Sequence, residues 1–250
     1  MSLPWRRFVA VGDSLTEGVG DPIRGGALRG WADRLAAALQ QADDRLIYVN
    51  LARRGLRTEE VRRTQLEAVL AAKPDLASAL SGMNDLLDRG FDPSRYGEEL
   101  DAIVRALSDA GALVLTATFP DITAFSPLPS RLTSGVQSRL NEASAVVREV
   151  SRRHDTVCLD ADALPEPLER AVMSVDRLHP GPRGHVFLAQ LFARLLSERA
   201  GVPIPEPAEA DADSRMRQAR WLIRQFDPVE VGRHLWRFYL APGRRSRTSP

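Results

Sequence analysis

The chain predicts a three-layer α/β/α sandwich around a five-stranded parallel sheet, followed by a C-terminal helical tail. Three observations lead there. Runs of strand length are almost continuously apolar, which suits parallel strands covered on both faces. Longer stretches between them carry apolar residues at helical spacing. The two patterns alternate five times, so each strand feeds a helix that crosses back over the sheet. At 250 residues, 44% hydrophobic and 27% charged, the chain suits one well-buried domain plus an appendage.

In chain order, residues 8–11 form the first apolar run. A helix is predicted over 31–41, with Trp31, Leu35, Ala38 and Leu39 on one face. A second strand at 46–49 precedes a helix over 58–72, with Thr58 as N-cap and Glu59 and Glu60 opposing the dipole. The third strand, 76–80, leads to a helix over 94–110 that follows Pro93 and stops at Gly111. A strand at 113–117, a helix over 139–153, a strand at 156–159 and a helix over 182–199 complete the series. Two stretches break the alternation. Residues 119–129 form a loop with three prolines and two phenylalanines, and residues 203–213 read as a linker rich in proline, alanine and acids. The linker divides a domain over 1–202 from a tail over 214–250, whose last residues are expected to be unstructured.

Polar residues gather against this frame. Gly12-Asp13-Ser14-Leu15 directly follows the first strand, Gly55 the second, and Gly82-Met83-Asn84-Asp85 the third. Asp176-Arg177-Leu178-His179 lies beyond the fifth. The carboxyl ends of strands in an open parallel sheet share one edge, where ligands bind. All four features therefore converge on one rim. Serine, histidine and aspartate there are the parts of an activated oxygen nucleophile. Ser14 would attack an acyl carbon, His179 take its proton, and Asp176 hold the imidazole tautomer. An oxyanion needs donors aimed at it, and the Ser14 amide, the Gly55 amide and the Asn84 side chain are candidates. Asp13, Gly82 and Asp85 support these groups, Asp13 as a turn acceptor and Asp85 by orienting the Asn84 segment. Phe119 and Phe125, on the loop after the fourth strand, are candidates for a substrate-pocket wall.

The four blocks, in this order, resemble those of the SGNH (GDSL) hydrolase family, and the resemblance covers about residues 6–200. It implies a flavodoxin-like sandwich with sheet order 2-1-3-4-5, and neither a metal nor an organic cofactor. It also implies Ser14, Gly55 and Asn84 as oxyanion donors, with Asp176 and His179 completing the triad. Position 16 is Thr16 rather than glycine, which disfavours the G-x-S-x-G elbow of α/β-hydrolases. The resulting reading is a metal-independent serine hydrolase of carboxylic esters, with a small-molecule, lipid or sugar ester as substrate. O-deacetylation, lysophospholipase or thioesterase action and acyl transfer stay open on the same triad. Outside enzymes, the alternative is a noncatalytic ligand-binding module.

Charge and composition narrow the partners. A formal net charge of +1 gives no bias toward nucleic acid. One cysteine, Cys158, leaves no intramolecular disulfide and suits a reducing compartment. No secretory h-region or spanning apolar window is evident, so a cytoplasmic protein is expected. The four histidines are scattered, which gives no metal-ligand spacing, and His185, on a helix turn, reads as a packing or surface residue. In the tail, nine arginines against two acids leave +7. Its aromatic residues, Trp221, Phe226 and Trp236 among them, are expected to dock on the domain, in preference to a membrane surface. Oligomeric state is left open.

Overall fold

The apolar runs pair into one sheet because each can bury both faces only between helical layers. The computed structural model describes residues 3–88, 90–125, 130–164, 172–174, 176, 178–210, 216–218 and 220–221; of Ala124, Phe125 and residues 130–132 it describes the backbone alone. The strands are β1 (Arg7–Gly12), β2 (Ile47–Asn50), β3 (Leu76–Leu80), β4 (Leu113–Ala117) and β5 (Val157–Leu159). All neighbours run parallel, in the order β2-β1-β3-β4-β5. β1 and β3 are buried along nearly their whole length. β2 departs from the expected two-sided cover: at the sheet edge it exposes Ile47 and Val49.

The α-helices that flank the sheet among the described residues are α1 (Ser14–Glu17), α2 (Trp31–Ala42), α3 (Thr58–Ala71), α4 (Met83–Leu87), α5 (Pro93–Asp109), α6 (Ser130–Arg153) and α7 (Pro182–Ala200). α2 and α7 cover one face through Trp31, Leu35, Leu39, Phe192 and Leu196, with the Trp31 and Phe192 rings 4.8 Å apart. α3, α5 and α6 cover the other through Val69, Ile103, Leu107 and Leu140. α5 begins as its residues dictate: Asp92 accepts from the Ser94 amide at 2.9 Å and Pro93 occupies the first turn. Three local expectations change. α6 starts at Ser130, well before residue 139. α1 and α4 add to the predicted helices, being too short to show a period in the sequence. Thr58 is the first residue of α3 and not its cap; the Arg57 amide, at the cap position, donates to Glu60 at 2.9 Å.

Beyond α7 the acidic stretch lies against the domain. Arg34 of α2 pairs with Asp21 at 2.7 Å, both buried, and donates to the Ala208 carbonyl at 3.0 Å. The Ile204 amide reaches Ser197 of α7 at 3.0 Å. Residues 216–218 and 220–221 are helical, and Trp221 is buried. Phe226 and Trp236 lie outside the described residues. Among the described residues no helix is long and apolar enough to cross a membrane.

His185, on the first turns of α7, is completely buried. Its Nδ1 accepts from the Trp31 amide at 3.1 Å and its Nε2 donates to the Val19 carbonyl at 3.0 Å. Both nitrogens are committed, which fixes the neutral form. Burial pushes the imidazole down to about 4, against lesser opposition from the Val19 carbonyl and Asp21. The unfolded chain protonates this histidine near its ordinary value of about 6.5, so the unfolded state binds more protons between the two values. Stability from His185 is thus present above that window and lost as pH falls through it, by about 3 kcal/mol. We predict that His185→Gln, which can keep both bonds, flattens this acid loss. Urea unfolding of both proteins at pH 7 and pH 4 checks it, and parallel pH curves would contradict it.

Candidate active site

The site begins where β1 ends. Gly12 has φ +150°, and a Cβ there would lie 2.2 Å from the Leu80 carbonyl oxygen. Only glycine lets β1 lie this close to β3 in that conformation. Buried Gln65 of α3 then grips the Gly12 peptide: its Oε1 accepts from the Gly12 amide at 3.0 Å and its Nε2 donates to the Gly12 carbonyl at 2.9 Å. Asp13, also buried, caps α1 by accepting from the Leu15 amide at 3.0 Å. Burial pushes its carboxyl up to about 6, opposed by the Leu15 amide, His179 and the Gly82 amide. The turn so made presents Ser14.

The structure brings the three reactive groups of the sequence reading together. Ser14 Oγ lies 2.8 Å from His179 Nε2, and His179 Nδ1 lies 2.8 Å from Asp176 Oδ2. The other Asp176 oxygen accepts from the Leu178 and His179 amides, each at 3.0 Å. Burial works to raise Asp176, but the imidazole and those two amides outweigh it and hold the carboxyl below its usual value. An anionic Asp176 favours the tautomer with hydrogen on Nδ1, leaving Nε2 to accept from the serine hydroxyl. The histidine loop is itself pinned, since the Ser174 amide donates to the His179 carbonyl at 2.8 Å.

The neighbouring loops are laced to this turn and to one another. Asn50 donates to the Thr16 carbonyl at 2.8 Å, and the Arg53 amide to the Gly12 carbonyl at 3.2 Å. Arg54 pairs with Glu17 of α1 at 2.9 Å through its guanidinium, and its amide reaches the same carboxylate at 2.7 Å. Gly55 follows with φ +81° and open space where a Cβ would stand, so backbone conformation calls for glycine there. Asn84 Nδ2 donates to the Leu56 carbonyl at 2.9 Å, which uses one amide hydrogen and leaves the second. Asp85 accepts from both the amide and the hydroxyl of Thr58, each at 3.0 Å, joining the Gly55 and Asn84 segments. Gly82 has φ +130°, and Phe119 packs on it, its Cζ 2.8 Å from where a Cβ would lie.

An apolar cavity of about 140 Å³ opens beside Ser14. Asp13, Ser14 and His179 lie along it with Phe119, Leu159, Leu164 and Leu191. Gly55 and Asn84 are not among its walls. Phe125 ends a short turn over Ile122–Phe125, but its side chain lies outside the described residues. Gln65, Glu17, Arg54 and Thr58 were missed by sequence reasoning, because each acts through a partner far away in the chain. Among the described residues no three His, Cys, Asp or Glu side chains gather as ligands for a metal ion.

A model of the GDSL-like lipase/acylhydrolase family matches residues 10–187. No curated protein matches the chain significantly. Solved structures share the fold at low identity. LAE5, an α/β hydrolase enzyme from the Lake Arreo metagenome, is 21% identical with a TM-score of 0.63, over 79% of this chain and 97% of its own. Axe2, an acetylxylan esterase from Geobacillus stearothermophilus, is 21% identical with a TM-score of 0.61, over 76% and 94%. The esterase EstA from Pseudoalteromonas sp. is 18% identical with a TM-score of 0.60, over 78% and 99%.

Replacing Gln65 tests the grip on the turn that presents Ser14. Gln65→Leu leaves the buried Gly12 amide without its side-chain partner and the Gly12 carbonyl with the Arg53 amide alone, an expected loss of about 1–3 kcal/mol. Equilibrium urea unfolding measures it. A loss below about 0.5 kcal/mol would mean that the turn holds without this side chain.

Proposed function

The chain belongs to the GDSL-like lipase/acylhydrolase family and is a carboxylic-ester hydrolase, and we propose that it cleaves its ester through an acyl-enzyme on Ser14. The observation that carries this reading is the unbroken chain Ser14–His179–Asp176, two contacts of 2.8 Å each. Ser14 Oγ attacks the acyl carbon while its proton passes to His179 Nε2. Asp176 stabilises the resulting imidazolium. The oxyanion is met by the Ser14 and Gly55 amides and by the Asn84 amide hydrogen that Leu56 does not use. Collapse breaks the ester C–O bond, and the leaving alkoxide takes the proton from His179. Water then repeats the sequence, releasing the carboxylic acid and restoring the Ser14 hydroxyl.

The solved relatives lend support. Three Axe2 structures are described as catalytic mutants, in which a serine, an aspartate or a histidine is replaced by alanine. The aspartate and histidine are three residues apart there, as Asp176 and His179 are here. An EstA structure is described as inhibited by monoethylphosphonate.

Ser14→Ala is expected to lower kcat on a nitrophenyl ester by ~10³-fold or more with the fold intact. Asn84→Ala is expected to lower kcat by ~10²–10³-fold with KM little changed. A phosphonate ester should add one phosphonyl group at Ser14, read by mass spectrometry of the peptide. Near-normal turnover in folded Ser14→Ala protein would overturn the reading.

A further inference from the structure

We propose that the acyl part of the substrate is an unbranched aliphatic chain of about six to eight carbons, seated in the cavity beside Ser14. The proposal rests on the esterase reading above. Its first support is shape. Ser14 and His179 line it after β1 and beside it, and Leu159 at the end of β5, Ala161 and Leu164 just beyond, and Leu191 of α7 line it toward the other side of the sheet. β1 and β5 are three strand spacings apart in the sheet, or roughly 14 Å at ~4.8 Å each. An extended chain advances ~3.8 Å per three bonds, so length does not limit the occupant. Volume sets the scale: about 140 Å³ is close to the ~150 Å³ of an apolar cavity that admits benzene, six carbons.

The second support is chemistry. Among the described residues, the hydroxyls that line the cavity away from Ser14 are already bonded and are not free to hold a hydroxylated acyl chain. Thr118 is spent on Asp160 at 3.1 Å and on the Ala161 amide at 2.7 Å, and Ser81 meets Thr58 at 3.1 Å. An acetyl group would leave this apolar space largely unfilled. Each buried methylene is worth about a fourfold gain in affinity, so hexanoyl should exceed acetyl by on the order of 10²-fold in kcat/KM.

The test is kcat/KM of the full chain on nitrophenyl esters from acetate to dodecanoate. A maximum at hexanoate to octanoate is expected. Ala161→Phe, which fills the far end, should move the maximum toward acetate and butyrate, whereas Leu191→Ala should move it to longer chains. Calorimetry on Ser14→Ala protein, with octanoate against acetate, reads the cavity without turnover, and only octanoate should bind. Best activity on acetate, or profiles that both variants leave unmoved, would overturn the acyl assignment. Octanoate binding without Ser14-dependent cleavage of any ester would instead sink the esterase reading and leave the cavity standing.

A separate observation concerns the C-terminal segment, which lies outside the family match ending at residue 187. We infer that Gln218 and Trp221 position three loops of the site at once. Gln218, 2% exposed, donates to the Gly20 carbonyl at 2.8 Å. Its Nε2 lies 3.5 Å from where a Cβ of Gly20 or of Gly181 would stand. Gly20 follows the nucleophile helix and Gly181 follows His179, so this side chain seals their junction. Trp221 donates to the Gly26 carbonyl at 3.2 Å, and the Arg54 guanidinium lies over its ring at 5.2 Å. Arg54 is paired with Glu17 of α1 and immediately precedes Gly55.

On the full chain, Gln218→Ala and Trp221→Ala should each lower kcat about fivefold or more, with KM within twofold. The rate of Ser14 phosphonylation should fall in parallel. Trp221→Phe keeps a ring over Arg54 and should recover most of the rate. If Trp221→Ala does not fold, Arg54→Gln breaks the same stack from the domain side. Unchanged kcat in the folded variants, or a rise confined to KM, would overturn the positioning role.

Discussion

The turn that presents Ser14 depends on Gly12 lying flush against Leu80 of the neighbouring strand. A side chain cannot occupy that gap, since its first carbon would fall 2.2 Å from a carbonyl oxygen. The close approach draws the next residue, Asp13, inward, where solvent no longer reaches its carboxyl. A buried carboxylate must find donors, and it finds the amides of Leu15 and Gly82. One backbone contact between β1 and β3 therefore sets the start of α1, the direction of Ser14 and the link to the Gly82 loop. Asp13 contributes as an anchor, and the proton-accepting work proposed for the site falls to His179.

From that turn outward, the rim is held by side chains that bond to the backbone of another loop. Gln65 holds Gly12, Asn50 holds Thr16, Asn84 holds Leu56 and Asp85 holds Thr58. Loops between parallel strands and helices have few backbone partners of their own, so these bonds supply the order that a strand ladder supplies elsewhere. A buried amide left without such a partner costs more than the net gain of making the bond. The network therefore resists loss of any one member, and it holds the proposed oxyanion donors in place before an ester arrives.

The sheet was readable because parallel strands buried on two faces must be apolar throughout, as Phe8, Val9 and Val11 are. Positions of Ser14, Asp176 and His179 followed from that frame, since strand ends share an edge. What escaped was physically local or physically distant. α1 and α4 are shorter than two helical turns and show no period. Thr58 looked like a cap because a hydroxyl before two acids usually is one; its partner, Asp85, lies 27 residues on. Gln65 sits on a helix face where nothing nearby in sequence shows that it reaches back to β1. The cavity is still less visible, being assembled from the ends of β1, β3, β4 and β5 and from α7.

Ser14 divides the rim into two unlike halves. Toward β2 lie Arg54, Gly55 and Thr58, a polar region laced by hydrogen bonds and ion pairs. Toward β5 lies an apolar trough roofed by α7. The proposed oxyanion donors belong to the polar half and the proposed acyl seat to the other, so charge stabilisation and chain selection draw on different residues. Apolar burial is non-directional, and the trough can change depth by exchanging Ala161 or Leu191 without moving a hydrogen-bond donor. The polar half has no such freedom, because its amides must point at one place. A fold arranged in this way can change the proposed acyl seat while the proposed chemistry stays fixed, because the loops after β1, β2 and β3 that carry it are tied to one another by hydrogen bonds.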